Sequence, residues 1–407
     1  MDEENVHAVL NRLQIDEIRD NNPNVTKLYL QIEDVARLLD TEWKLLGRYI
    51  ANNTQLQELN LFGIGLTDTK IVQFFQELTK SSSITNLDLG SYTPYGLNVN
   101  NRFGVIGIQS MIPFLQNSPQ LMKLNLSRNS SINNAVFEVL VNALDGGQIR
   151  ELDLSRCCIT DISAFGNVTL PHLQTLKLPQ NSIQNIENIS TLENYTNLTS
   201  LYLDKNNGVG IEGCRAIAHL LQREDTNLTI LQLECNRIGD EGMEILANSL
   251  KHNKKLSRLY LKGIILHPKG YLAILKLLVD ISSIENTYNN SNHTITTISL
   301  NPNHTSLNPT NQKMIVLKKF INAFTTLNNR PNPRRVKVVY AQLNSKKRKE
   351  LCHIQGIECL PIGTILADVE PILLPNILAL IGSSYNQSEF YSALISMVPD
   401  LMSWDRS

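Results

Sequence analysis

The chain has 407 residues, too many for one ordinary globular core, with 42% apolar residues and a formal charge of −1. The amino end, MDEENVHAVLNRL, has neither a basic n-region nor an apolar h-region, no apolar run nears the ~18 residues of a membrane span, and six cysteines lie scattered. These features argue against a secretory signal, a membrane helix and a disulfide scaffold, and they point to a cytoplasmic or nuclear protein. The charge balance hides an asymmetry, because from Ser306 onward Lys and Arg exceed Asp and Glu by five. Sequons such as Asn125-Leu126-Ser127 and Asn227-Leu228-Thr229 then reflect an Asn-rich composition rather than glycosylation.

In chain order, residues 2–20 read as an amphipathic helix with Val6, Val9, Leu10, Leu13 and Ile18 near one face. Asn21-Asn22-Pro23-Asn24 breaks it. Apolar triplets follow at Val25/Leu28/Leu30, Leu56/Leu59/Leu61, Ile84/Leu87/Leu89 and Leu121/Leu124/Leu126. They continue at Ile149/Leu152/Leu154, Leu173/Leu176/Leu178 and Leu198/Leu201/Leu203. The last are Leu228/Leu231/Leu233, Leu256/Leu259/Leu261 and Ile295/Ile298/Leu300. Each predicts a short strand whose alternate residues face opposite ways. The segment Leu228–Leu250, LTILQLECNRIGDEGMEILANSL, shows the whole unit. After its strand comes a bend at Asn236, whose amide can both donate and accept. A helix then starts at Gly239-Asp240-Glu241-Gly242, with Asp240 expected as N-cap and Met243, Leu246, Ala247 and Leu250 on one face.

The spacing is uneven. Segments 161–171 and 184–196 have poor helical periodicity, so shorter and less regular backing is expected there. Insertions fall in GSYTPYGLNVNNRFG (residues 90–104) and around NTYNNSNHT (residues 286–294), the latter read as a polar surface loop. At the bend, Asn129, Asn181, Asn206, Asn236 and Asn303 occur, with Cys157 as a variant, whereas Ile64, Tyr92 and Ile264 depart from the pattern. Beyond Ser306 a helix is expected over 312–325. Val336, Val338 and Tyr340 alternate like a further strand. Two apolar helical stretches lie between Pro371 and Met402.

The recurring L-x-x-L-x-L-x-x-N resembles the leucine-rich repeat family, in its ribonuclease-inhibitor-like branch with a long helix per repeat. That resemblance implies an α/β leucine-rich repeat solenoid, a curved horseshoe with parallel strands on the concave face and helices on the convex face. It implies an N-terminal helical cap at 1–24, about ten repeats over 25–305, and a C-terminal cap or small helical subdomain at 306–407. The concave face would then carry a central column of Tyr29, Asn60, Asp88, Asn125, Asp153, Lys177, Tyr202, Gln232, Tyr260 and Ser299. On that face, in the column and flanking it, Tyr202, Asp204, Ile230, Gln232, Glu234, Arg258, Tyr260 and Lys262 are the candidate partner-binding residues, since Tyr and Arg are enriched at binding hot spots.

No motif for catalysis is legible, and no cofactor or metal is expected. Cys157-Cys158 reads as inert thiols, Cys352-His353 with Cys359 lacks the paired spacing of a zinc site, and the eight histidines are dispersed. Glu151 and Asp153 share a strand face, where both are expected to be solvated. The favoured function is a non-enzymatic scaffold that binds an unidentified protein through the concave face, with no small-molecule substrate. The repeat type also resembles Ran GTPase-activating proteins. That implies a GTPase regulator as the alternative, for which Arg102, Arg128, Arg156 and Arg237 are loop arginines. Nucleic-acid binding through Lys346-Lys347-Arg348-Lys349 is the weakest reading.

Overall fold

A computed structural model describes residues 15–35, 38–79, 81–91, 101–184, 186–301, 309–338, 341–342 and 345–359. The ten strands follow chain order: β1 (Lys27–Tyr29), β2 (Glu58–Asn60), β3 (Asn86–Asp88), β4 (Lys123–Asn125), β5 (Glu151–Asp153), β6 (Thr175–Lys177), β7 (Ser200–Tyr202), β8 (Ile230–Gln232), β9 (Arg258–Tyr260) and β10 (Thr297–Ser299). Each central Leu or Ile of a predicted triplet is the middle residue of its strand. This is the α/β leucine-rich repeat solenoid architecture, with parallel strands on one side and helices on the other. The chain divides into two compact units, residues 1–237 and 238–407.

In the first unit β1 to β8 pair in parallel with unshifted register, so Leu28, Leu59, Leu87, Leu124, Leu152, Leu176, Leu201 and Leu231 form one row. All are buried. Each strand is only three residues long, so the row repeats the same three-position choice: outward, inward, outward. Helices 40–52, 68–78, 105–117, 134–143 and 211–222 back the strands. Behind β5 and β6 the backing shrinks to 3-10 segments Ser163–Asn167 and Ile186–Asn194, as the weak periodicity there anticipates. Edge-to-face aromatic pairs, Phe137 with Phe165 and Phe165 with Tyr195, fill the space that a helix would occupy. Gly47 allows the closest helix approach, because a Cβ there would sit 2.3 Å from the Phe74 carbonyl oxygen. The short helix Ile15–Arg19 lies at the amino end of the described residues, with Ile15 and Ile18 buried. Residues 2–14 of the expected helix lie outside the described residues.

The bends share one device. The Asn181 amide donates to the carbonyls of Leu178 (3.0 Å) and Leu154 (2.8 Å), one in its own repeat and one in the repeat before. Asn129, Asn206 and Asn236 repeat the pattern. Sequence spacing misses one member of this ladder. Tyr92 stands at the expected bend but lies outside the described residues, and Asn101, across the insertion, donates to Leu61 and Leu89 in the same way. At Cys157 the thiol supplies a weaker substitute, 3.5 Å from the Leu126 carbonyl. The residue before the bend takes a left-handed backbone in repeat after repeat: Gly63, Arg128, Arg156, Gln180, Lys205 and Cys235, with φ between 55° and 64°. Asn303 lies outside the described residues.

In the second unit β9 pairs with β10 in parallel. Helices 239–250, 268–278, 284–289, 309–328, 333–338 and 345–355 accompany them. Three expectations are corrected here. Asp240 is not the N-cap: the helix begins at Gly239 after Ile238, and the Asp240 carboxylate instead accepts from the His267 backbone N–H at 2.8 Å. The polar surface loop at 286–294 is largely interior. It contains helix Ile284–Asn289, and Asn292 is buried while donating to the carbonyls of Leu250 and Asn253. The extra strand at 336–340 is not formed, because Pro333–Val338 is a helix. Its Lys337 is fully buried and donates to the carbonyls of Leu278 (2.7 Å) and Asn292. A buried lysine at that point needs carbonyl partners one side-chain length away, and the C-terminal end of helix Pro268–Leu278 provides one of them at Leu278. The helical stretches of 371–402 lie outside the described residues.

Candidate binding surface

The first and third residues of each strand point away from the helices. Over β1 to β6 they line an open trough of about 300 Å3. Its walls are polar: Tyr29, Glu58, Asn60, Asn86, Asp88, Lys123, Asn125, Glu151, Asp153 and Lys177. Cross-strand ion pairs tie the wall together. Lys27 lies 2.9 Å from Glu58, Lys123 lies 3.6 Å from Glu151, and Lys177 bridges Glu151 and Asp153. The Tyr29 hydroxyl donates to Glu58 at 2.9 Å.

The floor is held from within. The side-chain oxygens of Asn60, Asp88, Asn125 and Asp153 each accept from the backbone N–H two residues on, at 2.9–3.0 Å. These side chains are therefore partly spent on closing the turn after the strand. Electrostatics separates the carboxylates. The hydrogen bonds from Lys27 and Tyr29 hold Glu58 below its ordinary range. Burial pushes Glu151 up, but Lys177 and Lys123 outweigh it and leave the group low. Burial raises Asp88 above its ordinary value despite the Gly90 N–H and the Asn125 amide. The expectation that Glu151 and Asp153 are simply solvated is thus corrected: both belong to a half-buried charge lattice with Lys177.

The other candidate residues are placed as follows. In the first unit Tyr202, Asp204, Ile230, Gln232 and Glu234 are all half-buried, on or just after β7 and β8. The Asp204 carboxylate accepts from the Glu234 backbone N–H at 2.8 Å, and burial pushes its pKa up to about 6. In the second unit Arg258 and Lys262 are exposed and Tyr260 is half-buried, with Tyr260 in register with Ser299. Sequence reasoning weighted these residues for their Tyr and Arg content. It passed over the trough at β1 to β6, whose signal was the Lys27, Glu58, Lys123, Glu151 series at one strand position.

The remaining chemical candidates separate widely. Cys157 is buried with its thiol pushed up to about 12 by desolvation, whereas Cys158 is exposed. Cys352 is buried beside Cys359, and His353 is exposed. Among the described residues no group of three or more His, Cys, Asp or Glu is placed to hold a metal ion. Arg102 bridges to Thr67, Arg128 and Arg156 occupy the left-handed bend position, and Arg237 is exposed. The basic run lies on helix Ser345–Gln355, where Arg348 turns inward to Gln342 and Lys347 packs over Phe320. Of the four, Lys346 and Lys349 are exposed. No helix among the described residues is long and apolar enough to cross a membrane.

The chain matches the family model described as Leucine Rich repeat at residues 149–165, 196–218 and 224–247. A curated relative, Protein CARMIL of Dictyostelium discoideum, is 27% identical over 191 residues, which covers 44% of this chain. The chain spans only 18% of that relative's length. Among solved structures, internalin C2 from Listeria monocytogenes shares 23% identity at a TM-score of 0.37, covering 63% of this chain and 83% of that one. The TLR13-ssRNA13 complex shares 21% identity at a TM-score of 0.43, covering 72% of this chain and 34% of that one. The matched segments enclose the bends at Cys157, Asn206 and Asn236 and the strands β5, β7 and β8, and in those segments the chain is similar to the Leucine Rich repeat family.

Proposed function

We propose that the protein is a non-enzymatic interaction scaffold that binds a partner protein on the strand face of its repeats. The trough over β1 to β6 is the observation that carries this reading. It is wide, open and charged, which suits a protein surface better than an enclosed small molecule. Its side chains are fixed by cross-strand pairs and turn caps, so little ordering is needed on binding. Tyr202, Asp204, Ile230, Gln232 and Glu234 offer the same strand positions further along the first unit. Arg258, Tyr260 and Lys262 offer them in the second. We assign 1–24 and 306–407 as caps of the array at 25–305, and the cytoplasm as its compartment. Free cysteines, three of them exposed, support that compartment.

The test is affinity purification of the full chain with identification of captured proteins, repeated with Lys123→Glu and Glu58→Lys. Lys123 is 57% exposed, so the first substitution leaves the core intact. A partner recovered by the wild type and lost with both variants is the expected result. A partner recovered equally by all three removes the trough from the binding site.

A further inference from the structure

We propose that Asp88, midway along the trough, is the seat for a lysine or arginine side chain on an extended segment of the partner protein. The inference rests on the trough being the binding surface and names the chemistry of what it takes. The outward positions of β1 to β6 carry three lysines and four carboxylates. Three of the carboxylates are matched by a lysine: Glu58 by Lys27 at 2.9 Å, Glu151 by Lys123 and Lys177, and Asp153 by Lys177 at 3.8 Å. Asp88 is the fourth. Among the described residues no lysine or arginine nitrogen comes within 4 Å of it. The strand face therefore has one negative charge in excess, and the ion pairs locate that charge at Asp88.

The surroundings of Asp88 are neutral and polar. Asn60 and Asn125 stand in register on either side of it, and Asn86 lies two residues earlier on the same strand face. Its own hydrogen bonds come from uncharged donors, the Gly90 N–H at 2.9 Å and the Asn125 amide. Closing the turn does not need the charge, because Asn60 and Asn125 accept the equivalent backbone N–H at 3.0 and 2.9 Å with an amide oxygen. Asp88 is half-buried, and both desolvation and the Asp153 charge push its pKa up, so the unmatched carboxylate is a cost that a seated cation would relieve. Asn86 gives its amide N–H to Glu58 at 3.3 Å, which leaves its oxygen to accept from an incoming ammonium or guanidinium. The dimensions suit a peptide. Six strands at about 4.8 Å spacing span roughly 24 Å, the length of about seven extended residues, with Asp88 near the middle. A free metal ion fits poorly, since among the described residues no group of three or more His, Cys, Asp or Glu is placed to hold one.

The test uses the full chain and labelled Gly/Ser nonapeptides with a central lysine, arginine, glutamate or serine, followed by fluorescence anisotropy at low salt. Binding of a cationic peptide in preference to the glutamate and serine peptides is expected, weakened by added salt. Asp88→Asn keeps an oxygen for the Gly90 N–H, as its neighbours Asn60 and Asn125 do, so the variant should fold with an unchanged or higher melting temperature. It should weaken the cationic peptide about three- to tenfold, between the effects of an exposed and a buried charge pair, and leave the serine peptide unchanged. Glu138→Gln makes the same change in net charge at an exposed site on helix 134–143 and should alter nothing. Failure of both cationic peptides to bind, unchanged affinity in Asp88→Asn, an equal loss in Glu138→Gln, or ethylamine matching the lysine peptide in affinity would overturn the proposal. Capture of a partner that is lost with Lys123→Glu and Glu58→Lys but kept with Asp88→Asn would overturn this inference alone and leave the trough as the binding surface.

Discussion

The asparagine ladder of the first unit and the lysine-centred cluster of the second solve one problem by different means. Both place side-chain donors on carbonyls that a chain reversal would otherwise leave buried and unpaired. The ladder uses a small neutral amide, once per repeat, and each amide ties its own repeat to the one before. The cluster uses one long cation. Lys337 reaches the carbonyls of Leu278 and Asn292 from helix 333–338, with His293 and Phe324 close by. A neutral ladder is insensitive to pH and extends by copying. A buried cation is sensitive to pH and is built once.

That contrast can be broken first at Lys337. Burial depresses its pKa from 10.5 to about 7. Between those values the unfolded chain holds a proton that the folded one has released, so stability of the second unit rises as pH increases from about 7 towards 10.5. A gain on the order of 2–3 kcal/mol between pH 7 and 9 follows from two pH units of that window. Chemical denaturation across this range should show the slope in the wild type and a flat profile in Lys337→Met. His293 adds a second slope. Its folded pKa falls from 6.5 to about 3 by burial, so stability is lost as pH drops below about 6.5.

Within the ladder, Asn206→Ala removes one of the two amide donors from each of the Leu178 and Leu203 carbonyls, which keep Asn181 and Asn236, and should cost about 1 kcal/mol at any pH between 6 and 9. A pH-dependent loss there would erase the distinction between the two devices. Cys157→Asn sharpens it in the other direction. The amide adds stronger donors where the thiol makes one weak contact, so a gain of about 1 kcal/mol is expected in the denaturation midpoint. The smallest effect is at Arg156→Gly, where relief of the left-handed backbone should raise the melting temperature by a few degrees, equivalent to about 0.5–1 kcal/mol.

The ladder was legible in the sequence because the same residue meets the same atoms at a fixed interval. All ten central strand residues could be named from spacing alone. The two 3-10 segments were also legible, as a loss of helical periodicity. Asn101 was not, because the insertion moves it nine residues past the expected bend while leaving its hydrogen bonds unchanged. The cluster around Lys337 escaped for a related reason. It depends on contacts about 45 and 59 residues away, and no local pattern distinguishes a buried lysine from a solvated one. The trough was half legible. Its residues followed from strand alternation, but the choice among repeats depended on which charges pair across strands.

Cys157 and Cys158 are adjacent in sequence yet differ sharply in accessibility, one sealed inside the stack with its thiol near 12 and one facing solvent. An alkylating reagent should therefore modify the second at once and the first only when the repeats separate locally. The chain thus carries its own built-in gauge of breathing at mid-array, one that needs no engineered label.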